Sequence, residues 1–293
     1  MAQPSNPTRR VVEVLNFLAR QPGTSYSLTE LDRELTISKA TLHAVVGELL
    51  DAGYLVRDTD QRRVRLGPRL IPIGRASLGR RAQVVEALRP AMRRLAADHG
   101  SHCLISAAIG DWIVVLSAAG NPARVRTTFR EGQRGSPLEP PMGSLFVAWR
   151  DQSEIDQWLT QSRVDIDPSD LPTHLGILED IRTRGFAVAL RVDAKDQLEN
   201  ALTEFATNAG DAQEEPREAI NTLLAQMSRT TYLITDPRPD VVHPVDWIGV
   251  PLLGRDRQVE LALVMTNFPA AMSGRQIEDV AERLRVVAAA VSA

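Results

Sequence analysis

Apolar residues open the chain at helical spacing. Val11, Val14, Leu15 and Leu18 recur on one helix face behind Thr8, a side chain able to cap the helix start, and Pro22-Gly23 ends the run. Ser27-Leu28-Thr29-Glu30 has the spacing in which a hydroxyl and a carboxylate satisfy each other's exposed backbone donors. A second helix is therefore predicted from Leu28, burying Leu28, Leu31 and Leu35. Only Thr36 and Ile37 separate it from Ser38, which can cap a third helix with Leu42, Val45, Val46, Leu49 and Leu50 on one face and Gly53 at its end. So tight a connection keeps the two helices from lying antiparallel. They must cross steeply, as in a helix-turn-helix.

The period then changes from helix to strand. Tyr54 to Arg57 reads as a strand, Asp58 to Gln61 as a polar turn, and Arg62 to Leu66 as the returning strand of a wing. Alternation puts Val64 and Leu66 on one side and Arg63 and Arg65 on the other, where the arginines are expected to be free to reach phosphates or a minor groove. With Arg57 and Arg62 they form a basic wing, while Ser38, Lys39, Ala40, Thr41 and His43 at the third helix's start are placed to enter a major groove. Winged helices also serve as protein-interaction modules, and His43 taken alone is an ordinary surface histidine.

Leu70 to Leu78 and Val84 to Ala97 read as connecting helices. From His102 strands dominate: His102 to Ala108 and Trp112 to Ala118 flank Gly110-Asp111, whose leading glycine suits a type II' hairpin, and Val125 to Phe129 is a third strand. Arg130 to Pro141, with two glycines and three prolines, is expected to hold no regular structure and to feed Met142-Gly143-Ser144 and an apolar helix through Phe146 and Trp149. A glycine-rich loop entering a helix offers free backbone amides to an anion. Leu171 to Gly185 reads as a helix and Phe186 to Val192 as a strand. Helices at Gln197 to Ala209 and Pro216 to Met227 occupy an acidic region, strands follow at Asp246 to Leu253 and Val259 to Thr266, and Ser273 to Gln276 caps a last helix. The predicted fold class is α+β: a winged helix-turn-helix in residues 1–67, a helical linker in 68–98, and an α/β domain with a largely antiparallel sheet in 99–293.

Charge sharpens this division. Residues 1–81 hold 13 Lys and Arg against 8 Asp and Glu, the remainder 21 against 29, so a net +5 precedes a net −8 within a total of −3. A basic module ahead of an acidic one is expected where only the first approaches a polyanion. The longest apolar stretches fall short of the ~20 residues that span a bilayer, and Met1 to Arg10 is polar, so no membrane partner and a cytoplasmic location are expected. The single Cys103 agrees with a reducing compartment.

The sequence resembles the IclR family of bacterial regulators. The likeness rests on Ser27-Leu28-Thr29-Glu30-Leu31, on Ile37 to His43, on Leu49 to Leu55, on Leu66-Gly67-Pro68-Arg69-Leu70, and on the loop Arg130 to Leu138. It implies a GAF-like effector-binding domain behind the winged helix, homodimers or dimers of dimers on double-stranded DNA with a palindromic operator, and a small organic acid or aromatic metabolite as effector. The effector pocket would fall at Met142, Gly143, Ser144, Asp246 and Trp247. Three positions depart from the family pattern. Ala44 stands where an arginine usually follows the His43 position, Ser144 replaces a lysine, and Trp247 replaces a cysteine. A tryptophan there either narrows the pocket and favours a flat ligand or is a core residue.

Other chemistry finds less purchase. His99-Gly100-Ser101-His102-Cys103 contains metal-ligating side chains without a second cluster, and neither a nucleophile elbow nor a phosphate-binding loop is present. No cofactor, no metal and no enzymatic activity are expected. A regulator whose second domain only oligomerises is the remaining alternative.

Overall fold

The computed structural model describes residues 6–20, 23–58, 62–120, 129–162, 166–194, 197–198, 201, 214–228 and 232–291. These fall into two compact units, residues 1–82 and 83–293.

The first unit contains α1 (Asn6–Ala19), β1 (Tyr26–Ser27), α2 (Leu28–Glu34), α3 (Lys39–Asp51), β2 (Leu55–Arg57), β3 (Arg63–Leu66) and α4 (Leu70–Leu78). Its core is made by the residues that the helical spacing singles out: Val14, Leu18, Leu31, Leu42, Val45, Val46 and Leu49, closed by Ile37, Leu55 and Val64. Each such side chain contributes about 1.5–3 kcal/mol of burial. Ser27 caps α2 in a reciprocal box with Glu30, and Ser38 caps α3 by accepting from the Thr41 amide. The wing is a three-stranded antiparallel sheet ordered β1-β3-β2, one strand more than the hairpin expected from the sequence. Gly67 joins the wing to α3's end by donating to the Tyr54 carbonyl at 2.7 Å, an approach close enough to leave no room for a Cβ.

The second unit is built on a six-stranded sheet ordered β6-β5-β4-β10-β9-β7, antiparallel at every pairing. Its strands are β4 (His102–Ile109), β5 (Trp112–Ala119), β6 (Arg134–Pro137), β7 (Ala187–Leu190), β9 (Val245–Leu253) and β10 (Val259–Thr266); β8 (Val242–His243) pairs with β11 (Met272–Ser273) separately. The described helices are α5 (Arg81–His99), α6 (Ser144–Val147), α7 (Gln152–Thr160), α8 (Leu171–Arg184), α9 (Glu214–Ser228) and α10 (Gly274–Ala289). Gly110 turns the β4–β5 hairpin at φ +57°, the conformation the sequence assigns to it. On one sheet face Ala187, Ala189, Trp247, Ala262 and Ile113 join a cluster with Met142, Leu145, Phe146, Leu178, Leu224, Met227 and Tyr232.

Two expectations are corrected. Arg130 to Pro141 does hold regular structure: β6 pairs with β5 through Trp112↔Pro137 and Ile113↔Ser136. It lies at the sheet edge, where a proline's missing donor costs nothing. The apolar helix through Phe146 and Trp149 is two helices, because Asp151 and Glu154 form a capping box of their own and start α7. Most of the expected strand Val125 to Phe129 and of the helix Gln197 to Ala209 lies outside the described residues.

Candidate nucleic-acid interface and effector region

At the start of α3, Ser38 lies before the first turn and its hydroxyl also bonds the Thr41 hydroxyl at 2.8 Å, so Thr41 is spent on the cap and is half-buried. Lys39, Ala40, His43 and Ala44 are exposed beyond it, with no acidic residue in the first turn. The buried face holds Leu42, Val45, Val46 and Leu49. The opposite face is therefore a positively charged, acid-free helix end, suited to a groove lined with phosphates.

In the wing, Arg57, Arg62 and Arg65 are exposed, whereas Arg63 is not free as the alternation suggested. Its Nη2 donates to both oxygens of Glu30, at 2.8 and 2.7 Å, and its Nε to the Ser25 carbonyl at 3.0 Å. Ser27 and Arg63 are also cross-strand neighbours, which brings Glu30 within reach. Arg63 is thus a structural clamp between wing and α2, and the basic surface is left to Lys39, Arg57, Arg62 and Arg65. The Ser27 amide, together with Arg63, holds the Glu30 carboxyl below its ordinary value of 4.5. A carboxyl depressed on folding adds stability above its unfolded value and loses it as pH falls through the folded one. Acidification is expected to lower the stability of residues 1–82 in the wild type, while Glu30→Gln, less stable at neutral pH, shows less of that loss. Urea midpoints followed by far-UV circular dichroism across the acid range check this.

The second region centres on α6. Met142, Gly143 and Ser144 are all buried after a cis Pro140-Pro141 bond. The Gly143 amide donates to the Glu139 carbonyl at 2.8 Å and the Ser144 amide to the Pro141 carbonyl at 3.3 Å. These two amides are therefore not available to an anion, contrary to expectation, and a four-residue helix adds little field. A Cβ on Gly143 would stand 3.0 Å from the Trp158 ring and 3.1 Å from the Leu138 carbonyl carbon, so the glycine is required by close packing.

Trp247, on β9, does come to the same cluster as Met142. Leu145 of α6 reaches within 3.0 Å of where a Cβ on Gly249 would be, and Trp247 within 3.2 Å. Trp247 Nε1 donates to the Tyr232 hydroxyl at 2.7 Å, and that hydroxyl faces the Asp246 carboxylate at 3.5 Å. Tyr232 is almost wholly buried and joins all three into one polar thread through an apolar wall. Sequence reasoning missed it, because no local spacing connects position 232 to position 247. The His99 to Cys103 stretch contributes no group of metal-binding side chains among the described residues. Burial pushes the Cys103 thiol up to about 12.

A winged helix ahead of a six-stranded antiparallel sheet flanked by helices is the class that these elements define. Residues 5–63 match the family model described as the MarR family. Over essentially the whole chain the fold is that of the IclR regulators, as the sequence resemblance implied. The IclR of Thermotoga maritima superposes with a TM-score of 0.62 at 17% identity, covering 98% of this chain and 97% of that one. An IclR homologue from Microbacterium hydrocarbonoxydans, complexed with 4-hydroxybenzoate, gives 0.57 at 18% identity over 98% of each chain. The HTH-type transcriptional regulator BhcR of Paracoccus denitrificans is 27% identical over 183 residues, 61% of this chain but only 64% of its own length. Among the described residues no helix is long and apolar enough to cross a membrane.

Proposed function

We propose that this protein is a DNA-binding transcription regulator of the IclR type, and not an enzyme. The observation that carries the reading is the start of α3, where a capped, acid-free helix end presents Lys39 and His43 beside a wing bearing Arg57, Arg62 and Arg65. Two copies reading a palindrome suit such a module. Self-association is supported by α4, which buries none of its residues and leaves Ile71 and Ile73 58% and 51% exposed. The division proposed is a DNA-reading module in residues 1–67, a linker in 68–98, and an effector-binding and oligomerising domain in 99–293, working in the cytoplasm.

The effector is a small organic acid or aromatic metabolite held near Met142, Gly143, Ser144, Asp246 and Trp247, and its binding shifts the arrangement of the DNA modules by no more than its differential affinity for the two states. The 4-hydroxybenzoate bound by the Microbacterium homologue supports an aromatic acid. The dense apolar packing around Trp247 favours a second reading, in which residues 99–293 only oligomerise. Saturable stabilisation by 4-hydroxybenzoate or a panel of organic acids in a thermal melt separates the two.

Fluorescence anisotropy with DNA flanking the gene tests the reading as a whole, and absence of salt-sensitive binding to any fragment defeats it. Lys39→Ala and Arg65→Ala are each expected to weaken binding and to reduce the magnitude of the slope of log affinity against log salt by about 1. Arg63→Ala also weakens binding, but together with a lower urea midpoint that the other two leave unchanged.

A further inference from the structure

Two adjoining cavities of about 310 and 390 Å³ lie between α5 and the neighbouring ends of β4 and β5, and Arg93 and Gly120 border both. In the first the polar groups are already matched. Glu131 accepts from Arg89 Nη1 at 3.0 Å and from Ser117 Oγ at 3.2 Å, so a carboxylate of the chain itself rests on an arginine and a serine.

Arg93 follows Arg89 by four residues, about one turn or ~6 Å along the same helix face. It borders the second cavity with Ser101 and His102, and no carboxylate of the chain meets it there. Ser101 Oγ and His102 Nδ1 are buried without a hydrogen-bond partner, on residues only 3% and 6% exposed. Orphaned polar atoms at such depth are uncommon, and here two of them share a cavity with an arginine. The His102 ring is held flat against Gly120, where a Cβ would fall 2.7 Å from it. Burial keeps the imidazole below its ordinary pKa, so the neutral ring brings one donor and one acceptor to the cavity.

We propose that this second cavity binds a small carboxylate-bearing molecule, whose carboxylate pairs with Arg93 while Ser101 and His102 bond its polar oxygens. It repeats, one helical turn along, the arrangement that Glu131 completes within the chain. The site shares no residue with the Met142–Trp247 cluster and does not depend on the DNA-binding reading.

The test titrates the full chain with pyruvate and with benzoate, and with pyruvamide as the neutral counterpart of pyruvate. Binding is read from the His102 imidazole resonance in histidine-labelled protein, assigned through His102→Gln. At least one carboxylate is expected to shift that resonance saturably, pyruvamide to leave it in place, and Arg93→Gln, at an exposed position, to weaken binding about tenfold. Ser101→Ala should weaken it in the same direction. The proposal fails if neither carboxylate moves His102 saturably, if pyruvamide binds as well as pyruvate, or if Arg93→Gln binds like the wild type. A response that survives Arg93→Gln but is lost on changing Trp247 puts the ligand in the other cluster and equally overturns it. Each of these failures leaves DNA binding untouched.

Discussion

Gly67→Ala is expected to destabilise residues 1–82 by about 3 kcal/mol, at the upper end of what overpacking usually costs. A Cβ there would collide with the Gly53 carbonyl oxygen and lie 3.0 and 3.1 Å from the carbonyl carbons of Tyr54 and Leu55. All of these are backbone atoms at the junction of α3 and the wing, and none can swing aside as the end of a side chain would. DNA affinity should fall with the folded fraction. The four tryptophans, Trp112, Trp149, Trp158 and Trp247, all lie in the second unit. The urea transition seen by far-UV circular dichroism should therefore move, while the tryptophan fluorescence transition stays. Gly47→Ala is the control, since a Cβ at this mid-helix position meets nothing within 4 Å. It should stabilise α3 by about 0.5–1 kcal/mol through helix propensity alone. Equal effects of the two substitutions would remove the argument from close approach.

Tyr232→Phe should act on the other unit and on the other signal. The ring is kept and the core volume nearly so, but Trp247 Nε1 loses the acceptor that sits 2.7 Å away. Leaving an enclosed donor unmatched costs about 1–3 kcal/mol. The fluorescence transition should move to lower urea and the emission of Trp247 should change, with DNA binding by the folded protein retained. An unmoved fluorescence transition would mean that the hydroxyl does not support the Trp247 wall.

The two regions differ in how much of them was written locally. The capping boxes at Ser27 and Ser38, the apolar spacing of α1 to α3 and the alternation of the wing act within four residues of chain, and the helices and core of residues 6–66 follow from them. Arg63 marks the limit. Alternation gives the side of the strand it leaves from, but its partner Glu30 lies 33 positions earlier and becomes a neighbour only because β1 pairs with β3. Around α6 the glycine and proline content correctly signalled an unusual path, yet said nothing of where the Gly143 and Ser144 amides turn for partners, or that an edge strand could tolerate Pro137. Asp246 and Trp247 were placed on a strand from their pattern, whereas Tyr232, which holds them, could be found only in three dimensions.

The Arg63–Glu30 clamp also bears on how such a sequence can drift. Glu30 serves two masters, the amide of Ser27 and the guanidinium of Arg63, and neither can change alone without stranding the other. Exposed positions such as Arg57 and Arg65 carry no such obligation and can be exchanged one at a time to retune which DNA is read. The wing thus separates an inherited hinge-pin, which should change only as a pair, from an outer fringe open to rapid substitution.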